Sequence, residues 1–402
     1  MVMRYLLADA LSLFGNAVAA VALPWLVLVR TGDAAAAGAI AAAAALPMLL
    51  AAVVGGWVVD RFGRRRISVA ADLLSAASIA ALPLVDAWTG LTLAWFIALG
   101  VAGALFDVPG MTAREALGPD VAAAAKVPLE RLSGLREGVD GVVLMVGPAI
   151  AGGLLALLDP VLVLWVTAGC SALAALVTAT LPSGVGAAAG DRVRLAEMGA
   201  GLTVLRKDRM LGALTLLTVG AVCVIAPLQG ILLPVHLVAE QAPAVLGLVI
   251  TALALGGLVG AGVYATVGTR WARRPTFTGA LLVMSVGVVG MALLPPAPLL
   301  LLASVLVGLG SAPMSAMLTV VVAERIPELL RGRVMGVQNA AVLTAAPAGL
   351  LGAGLLVAGS GLRPTGILVA GLWLLVVAAA LLAPALRTFD RLEVAADGAD
   401  DR

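Results

Sequence analysis

"GGWVVDRFGRRR", residues 55–66, lies between two apolar stretches that are each long enough to cross a bilayer, and it puts five charges into residues 60–66. The residue types are informative. Gly56 lets another helix come close, and Gly63 supplies a turn conformation that other residues resist. Asp60 closes its own helix, where the helix dipole disfavours a carboxylate by roughly 0.3–1 kcal/mol, so it needs a partner such as an arginine or a helix N-terminus. A membrane-orienting role accounts for Arg61, Arg64, Arg65 and Arg66, but not for the acid or the glycines.

The chain around this turn is built for lipid. Its 402 residues are 62% hydrophobic and 12% charged, with a mean hydropathy of +1.11. No soluble fold buries that much apolar surface. Apolar runs fall at about 5–29, 35–59, 67–85, 91–112, 138–158, 161–181, 210–236, 244–266, 276–294, 298–322, 334–358 and 364–385. Each approaches the roughly 20 residues of a membrane helix and none alternates as a membrane strand would, which predicts an all-α protein of twelve transmembrane helices. The first run is too long for a cleavable signal. Cys170 and Cys223 both sit inside apolar runs and read as small hydrophobes.

Charge placement gives the orientation. The connections on the side of the 60–66 turn hold 23 of the Lys and Arg residues, and the opposite connections hold only Arg30 and Arg363. Both termini and the 60–66 turn are therefore expected in the cytoplasm. The longest polar interruption, residues 182–209, follows the sixth run and divides the chain into a six-helix bundle at 1–181 and another at 210–386, with a tail at 387–402. The second part of that linker suits a short amphipathic helix along the membrane surface. Sliding the chain on itself by 199 residues places Pro128 on Pro327 and Pro148 on Pro347, pairing the fifth helix with the eleventh as a duplicated half would. In the same frame Asp140 falls on Asn339.

The pattern G-x-x-x-D-R-x-G-R-R, at Gly56, Asp60, Arg61, Gly63, Arg64 and Arg65, resembles the signature between helices 2 and 3 of the major facilitator superfamily. "GPAIAGG" (147–153) is similar to the G-P-x-x-G-G element of its antiporter branches, with Ala151 in place of the first glycine of the closing pair. Pro148 removes a backbone hydrogen bond, and Gly147 and Gly152 thin the helix, so a hinge is expected there. "FDVPGMTAREALGPD" (106–120) and "ERIPELLRGRVMGVQNA" (324–340) look like the bacterial exporters related to macrolide-efflux and enterobactin exporters. The resemblance implies two pseudo-symmetric six-helix bundles that rock around a central cavity lined by helices 1, 4, 7 and 10. It also implies that the 60–66 turn acts as a conformational latch and that export is coupled to protons. The corresponding turn between helices 8 and 9 has Thr266 where an acid would stand, so a second latch is expected to be weaker.

Polar residues inside spans are costly and mark function by default. Asp9, Ser12 and Asn16 share one face of helix 1, and Thr218, Gln229 and His236 are spaced to share one face of helix 7. Ser304, Ser311, Ser315 and Thr319 form a stripe on helix 10. Asn16, Gln229, His236, Ser311 and Ser315 are the cavity candidates, although hydroxyls often bond only their own helix. Asp9, Asp107 and Asp140 are the candidates for proton coupling, followed by Glu137. Asp72 reads as a structural ion-pair partner. All of these acids lie within about two turns of the arginine-rich ends of their helices, at 1.5 Å per residue, and none reaches the midplane.

No nucleotide-binding loop, metal cluster or nucleophile–base pair is present, so neither an enzyme nor an ATP-driven pump is supported, and no cofactor is expected. The sequence reads as a monomeric secondary transporter in the bacterial cytoplasmic membrane. Its expected partners are a small amphipathic substrate, protons and the surrounding lipids, with no nucleic acid. The shallow acids and Ala151 leave open a facilitator, importer or lipid flippase on the same fold, or a non-transporting sensor.

Overall fold

The structure, a computed structural model, describes residues 1–182, 184–186, 205, 208–268, 271–326 and 328–383. Twelve helices in it are long and apolar enough to span a membrane. The first six are α1 (Val2–Thr31), α2 (Ala34–Phe62), α3 (Arg64–Thr89), α4 (Leu93–Ala125), α5 (Leu129–Leu157) and α6 (Pro160–Ala179). Then α7 runs through Arg209–Pro227, a π-helical turn at Leu228–Leu232 and Leu233–Ala239. It is followed by α8 (Pro243–Val267), α9 (Arg273–Ala292), α10 (Ala297–Arg325), α11 (Glu328–Ser360) and α12 (Leu362–Leu382). The chain is an all-α membrane protein, and no strand occurs among the described residues.

Local chemistry sets the helix boundaries. Asp33 and Asp159 cap α2 and α6 by accepting from the backbone N–H groups of Ala35 and Val161, each at 2.8 Å. The α2–α3 turn depends on Gly63, whose φ of 91° lies where side chains are disfavoured and whose N–H closes α2 on the Val59 carbonyl at 2.9 Å.

Two helices overrun the apolar stretches that announced them. The fourth stretch ends near 112, yet α4 continues to Ala125, and α5 begins at Leu129, well before its apolar stretch. The added turns carry Arg114 and Arg136, whose charges find partners within the protein.

The chain folds as two compact units. One comprises Met1–Arg194, Pro234–Thr251 and Leu350–Ala358. Within it α1 packs on α5 and α6, α3 on α4 and α6, and α2 on α4. An apolar cluster of Tyr5, Leu6, Leu117, Val121, Ala122, Leu132 and Val185 fills one end. In the same unit α5 meets α8 almost backbone to backbone: a Cβ added to Gly152 would stand 2.8 Å from the Pro243 carbonyl oxygen and 3.0 Å from the Gly247 Cα. Thr251 donates to the Met145 carbonyl at 2.7 Å along the same contact.

The other unit comprises Leu195–Leu233, Ala252–Gly349 and Gly359–Arg402. There α9 packs on α10 and α12, and α12 on the first part of α7. Trp373 is fully buried in this unit.

Candidate functional site

Four helices of the first unit carry charged side chains into one cluster. Asp9 on α1, Asp72 on α3 and Arg114 on α4 are each about 5% exposed, at 4%, 5% and 5%. The Arg114 guanidinium is paired with the Asp72 carboxylate, and its Nε lies 3.9 Å from Asp9 Oδ1. Ser12 donates to the other Asp72 oxygen at 3.1 Å. From α5, Arg136 donates through Nε to Asp9 at 2.8 Å and stands 3.8 Å from Asp140, one turn along its own helix. Glu115, largely exposed, lies 4.0 Å from Arg136 at the edge. The Tyr5 hydroxyl donates to the Arg114 carbonyl oxygen at 3.2 Å and braces α1 against α4.

A small polar cavity of about 50 Å³ opens within the cluster, bounded by Asp9, Ser12, Asn16, Arg114, Arg136 and Asp140 among others. That is the scale of one or two water molecules. Asp140 Oδ1 and Arg114 Nε are buried and have no hydrogen-bond partner among the described residues. Two buried carboxylates, Asp9 and Asp72, and the half-buried Asp140 thus face two guanidinium groups, of which Arg136 is itself half-buried. With all five ionised, the cluster is one positive charge short. In a low-dielectric setting that shortfall favours a further cation or proton.

Asp9, Asp140 and Asn16, named from the sequence, come together here. Asp107 does not line this cavity: it lies two turns before Arg114 on α4, against Ser75 of α3. Arg114 and Arg136 were not named as site residues, since both count simply as positive-inside charges in the sequence. The signal that marks Arg114 is its spacing: Asp107, Met111 and Arg114 fall at i, i+4 and i+7, on one stripe of α4.

The signature turn divides its work. Arg64 donates to Asp120 at the end of α4 at 2.7 Å, and Arg65 donates to the carbonyls of Thr178 and Ala179 at the end of α6. Arg61 lies over the rings of Trp57 and Phe62, at 5.8 and 6.0 Å. The side chain of Asp60 lies outside the described residues. At the degenerate turn in the other unit, α10 supplies an acid instead: Arg273 makes a two-pronged pair with Glu324 at 2.8 and 2.9 Å.

Next to Glu324, Arg325 reaches Asp208, the cap of α7, at 3.1 Å. Burial pushes the Asp208 carboxyl up, but hydrogen bonds from the Leu211 and Met210 N–H groups and from Arg325 outweigh it and hold the group below its usual range. A carboxyl lowered by folding contributes stability above its unfolded value, near 3.9, and that contribution fades as pH falls through the lower folded value. Asp208→Ala should therefore lower thermal stability in detergent at pH 7, by about 1 kcal/mol for the lost cap. At pH 3 the gap to wild type should narrow. A gap that does not depend on pH would remove the charge from the explanation.

The remaining cavity candidates are more ordinary. Ser304, Ser311 and Thr218 each donate to a carbonyl of their own helix, at 2.7, 3.0 and 3.0 Å. Gln338 on α11 bonds Thr215 on α7 at 2.8 Å, a link no spacing pattern announced. Gln229 lies in the π turn of α7, and His236 follows it, 3.5 Å from Glu240. The extra residue of that turn breaks the 3.6 period between Gln229 and His236. In α5, Gly147 packs against Ala17 of α1 and Pro148 lies within an unbroken helix.

The model of the Major Facilitator Superfamily matches residues 5–240 and 225–398. The multidrug efflux pump Tap of Mycobacterium tuberculosis is 36% identical over 398 residues, covering 96% of this chain and 94% of that one. Macrolide efflux protein A of Streptococcus pyogenes is 24% identical, with 85% and 86% covered. Among solved structures, a mutant of the nucleoside transporter NupG superposes with a TM-score of 0.81 at 12% identity, covering 95% of this chain and 99% of that one, which speaks to the fold alone.

Proposed function

Because the chain belongs to the Major Facilitator Superfamily, we propose that it exports small amphipathic molecules, drugs or secondary metabolites, across a bacterial cytoplasmic membrane by alternating access, with protons moving inward in exchange. The likeness to efflux pumps along nearly the whole chain supports the export of drugs. The observation that carries the coupling is the cluster in which buried Asp9 and Asp72 and half-buried Asp140 face Arg114 and Arg136. Charges within spans are retained at a cost, and a cluster lacking one cation is a site where a proton and a cationic substrate compete. A ligand that binds one conformation better than the other shifts the balance between them, and proton and substrate act on it in turn. Arg64 and Arg65 serve as the latch, tying the α2–α3 turn to the ends of α4 and α6.

The test is uptake of a fluorescent amphipathic cation into inverted membrane vesicles, with and without an uncoupler. Accumulation that collapses with the uncoupler is the expected result. Uptake indifferent to it would make the protein a facilitator, and binding without flux would make it a sensor.

Orientation has its own test. In a background lacking Cys170 and Cys223, a cysteine at Thr89 should react with an impermeant thiol reagent applied to intact cells, and one at Lys126 should not. Both positions are exposed. The reverse pattern would place the termini outside and overturn the positive-inside reading.

A further inference from the structure

Between α2, α3 and α4 lies a cleft of about 430 Å³. Its walls are apolar, with Val54 and Val58 from α2, Ile67, Ala70 and Leu74 from α3, and Phe106 from α4. Val54 and Leu74 are 45% and 43% exposed, so the cleft opens outward from the helices rather than into a core. Its volume falls within the ~300–1,000 Å³ range of small-molecule pockets.

The arginines at the end of this cleft are of two kinds. Arg64 and Arg65 are bound into the protein, to Asp120 and to the carbonyls ending α6. Arg61 and Arg66 are exposed, and no ion pair to either occurs among the described residues. Their positions are set by helical spacing. Leu50, Val54, Val58 and Arg61 follow one stripe of α2, and Arg66, Ala70 and Leu74 follow one stripe of α3. Each apolar wall therefore ends in an outward-facing guanidinium. Arg61 is further positioned by Trp57, itself 55% exposed, over whose ring it lies.

We propose that this cleft is a binding site for an anionic phospholipid, with an acyl chain between α2, α3 and α4 and the phosphate held by Arg61 and Arg66. An apolar slot exposed along the spans suits an acyl chain. Two guanidinium groups at the end of the spans select a phosphate without a compensating amine, since arginine binds phosphate with a planar fork of donors. The second unit has a cleft of about 400 Å³ between α8, α9 and α10, but Arg273 beside it is engaged by Glu324. The proposal is therefore confined to the first.

The test is native mass spectrometry of the purified full chain after delipidation, titrated with phosphatidylglycerol or phosphatidylcholine of identical acyl chains. Arginine near a membrane surface attracts anionic lipid by about 1 kcal/mol per residue, so a preference for phosphatidylglycerol on the order of tenfold is expected for the first lipid bound. R61Q/R66Q should reduce that preference to near unity. Ala70→Phe, which fills the slot and leaves both arginines, should also remove it. Size-exclusion profiles and melting curves show whether each variant is folded, and Val54→Phe replaces Ala70→Phe if the latter is not. An unchanged preference in R61Q/R66Q would overturn the headgroup assignment. Full preference in a folded filled variant would reduce the effect to surface attraction and overturn the site.

Discussion

Arg114→Gln should destabilise the protein by about 3–5 kcal/mol, the usual cost of removing one partner from a buried ion pair. Asp72 would be left buried with only the Ser12 hydroxyl, and Asp9 would keep only Arg136. Extracted in mild detergent, the variant should give little folded protein by size-exclusion chromatography and a much lower melting temperature. Asp72→Asn combined with Arg114→Gln should recover most of the loss, because it removes the stranded charge together with its partner. Equal instability of the single and double variants would mean that the guanidinium acts by packing rather than by neutralising Asp72.

Asp9→Asn makes the opposite change: it leaves the cluster with two carboxylates and two guanidinium groups. A neutral cluster has no remaining deficit for a proton to fill. Uptake driven by a pH gradient should fall by about tenfold or more, since a hydrogen bond to a charged group is worth about 1.5–3 kcal/mol and each 1.4 kcal/mol is a factor of ten. Substrate exchange at equal pH on both sides should survive, because alternation itself does not require the proton. Asp140→Asn should behave likewise if the two acids share one proton through Arg136, which touches both. Gradient-driven uptake that persists in Asp9→Asn would remove the cluster from the coupling mechanism.

The twelve spans and the α2–α3 turn were legible in the sequence because their signals are long or locally complete. Continuous apolar runs and one-sided arginines follow from the lipid itself, and Gly63 marks a backbone need that few residues meet. The charged cluster was only half legible. Asp9, Asn16 and Asp140 stand out as polar residues in or beside apolar runs. Arg114 and Arg136 fall just beyond them and read as topology charges, until α4 and α5 prove longer than their hydropathy. What identifies them is partners on α1 and α3, and long-range pairing leaves no trace in local spacing. The face shared by Gln229 and His236 was lost for a related reason: a π turn adds a residue and shifts the register of everything after it. The acid that answers Arg273 was equally hidden, because Glu324 arrives from the far end of α10 rather than from the turn.

The order of the buried ions along the chain bears on how the protein is made. An arginine at the centre of a helix costs roughly 2.5–3.5 kcal/mol to leave the translocon for lipid, and one toward the end of a span, as Arg114 and Arg136 are, costs less. The acids come first in this chain. Asp9 on α1 and Asp72 on α3 have both been synthesised when α4 brings Arg114 into the channel, so the cation enters lipid beside an anion already waiting there. Arg136 follows on α5 and meets Asp9 in the same way. Along the chain the carboxylates of Asp9 and Asp72 thus precede the guanidinium groups that pair with them, and the last carboxylate to arrive, Asp140, shares Arg136 with Asp9.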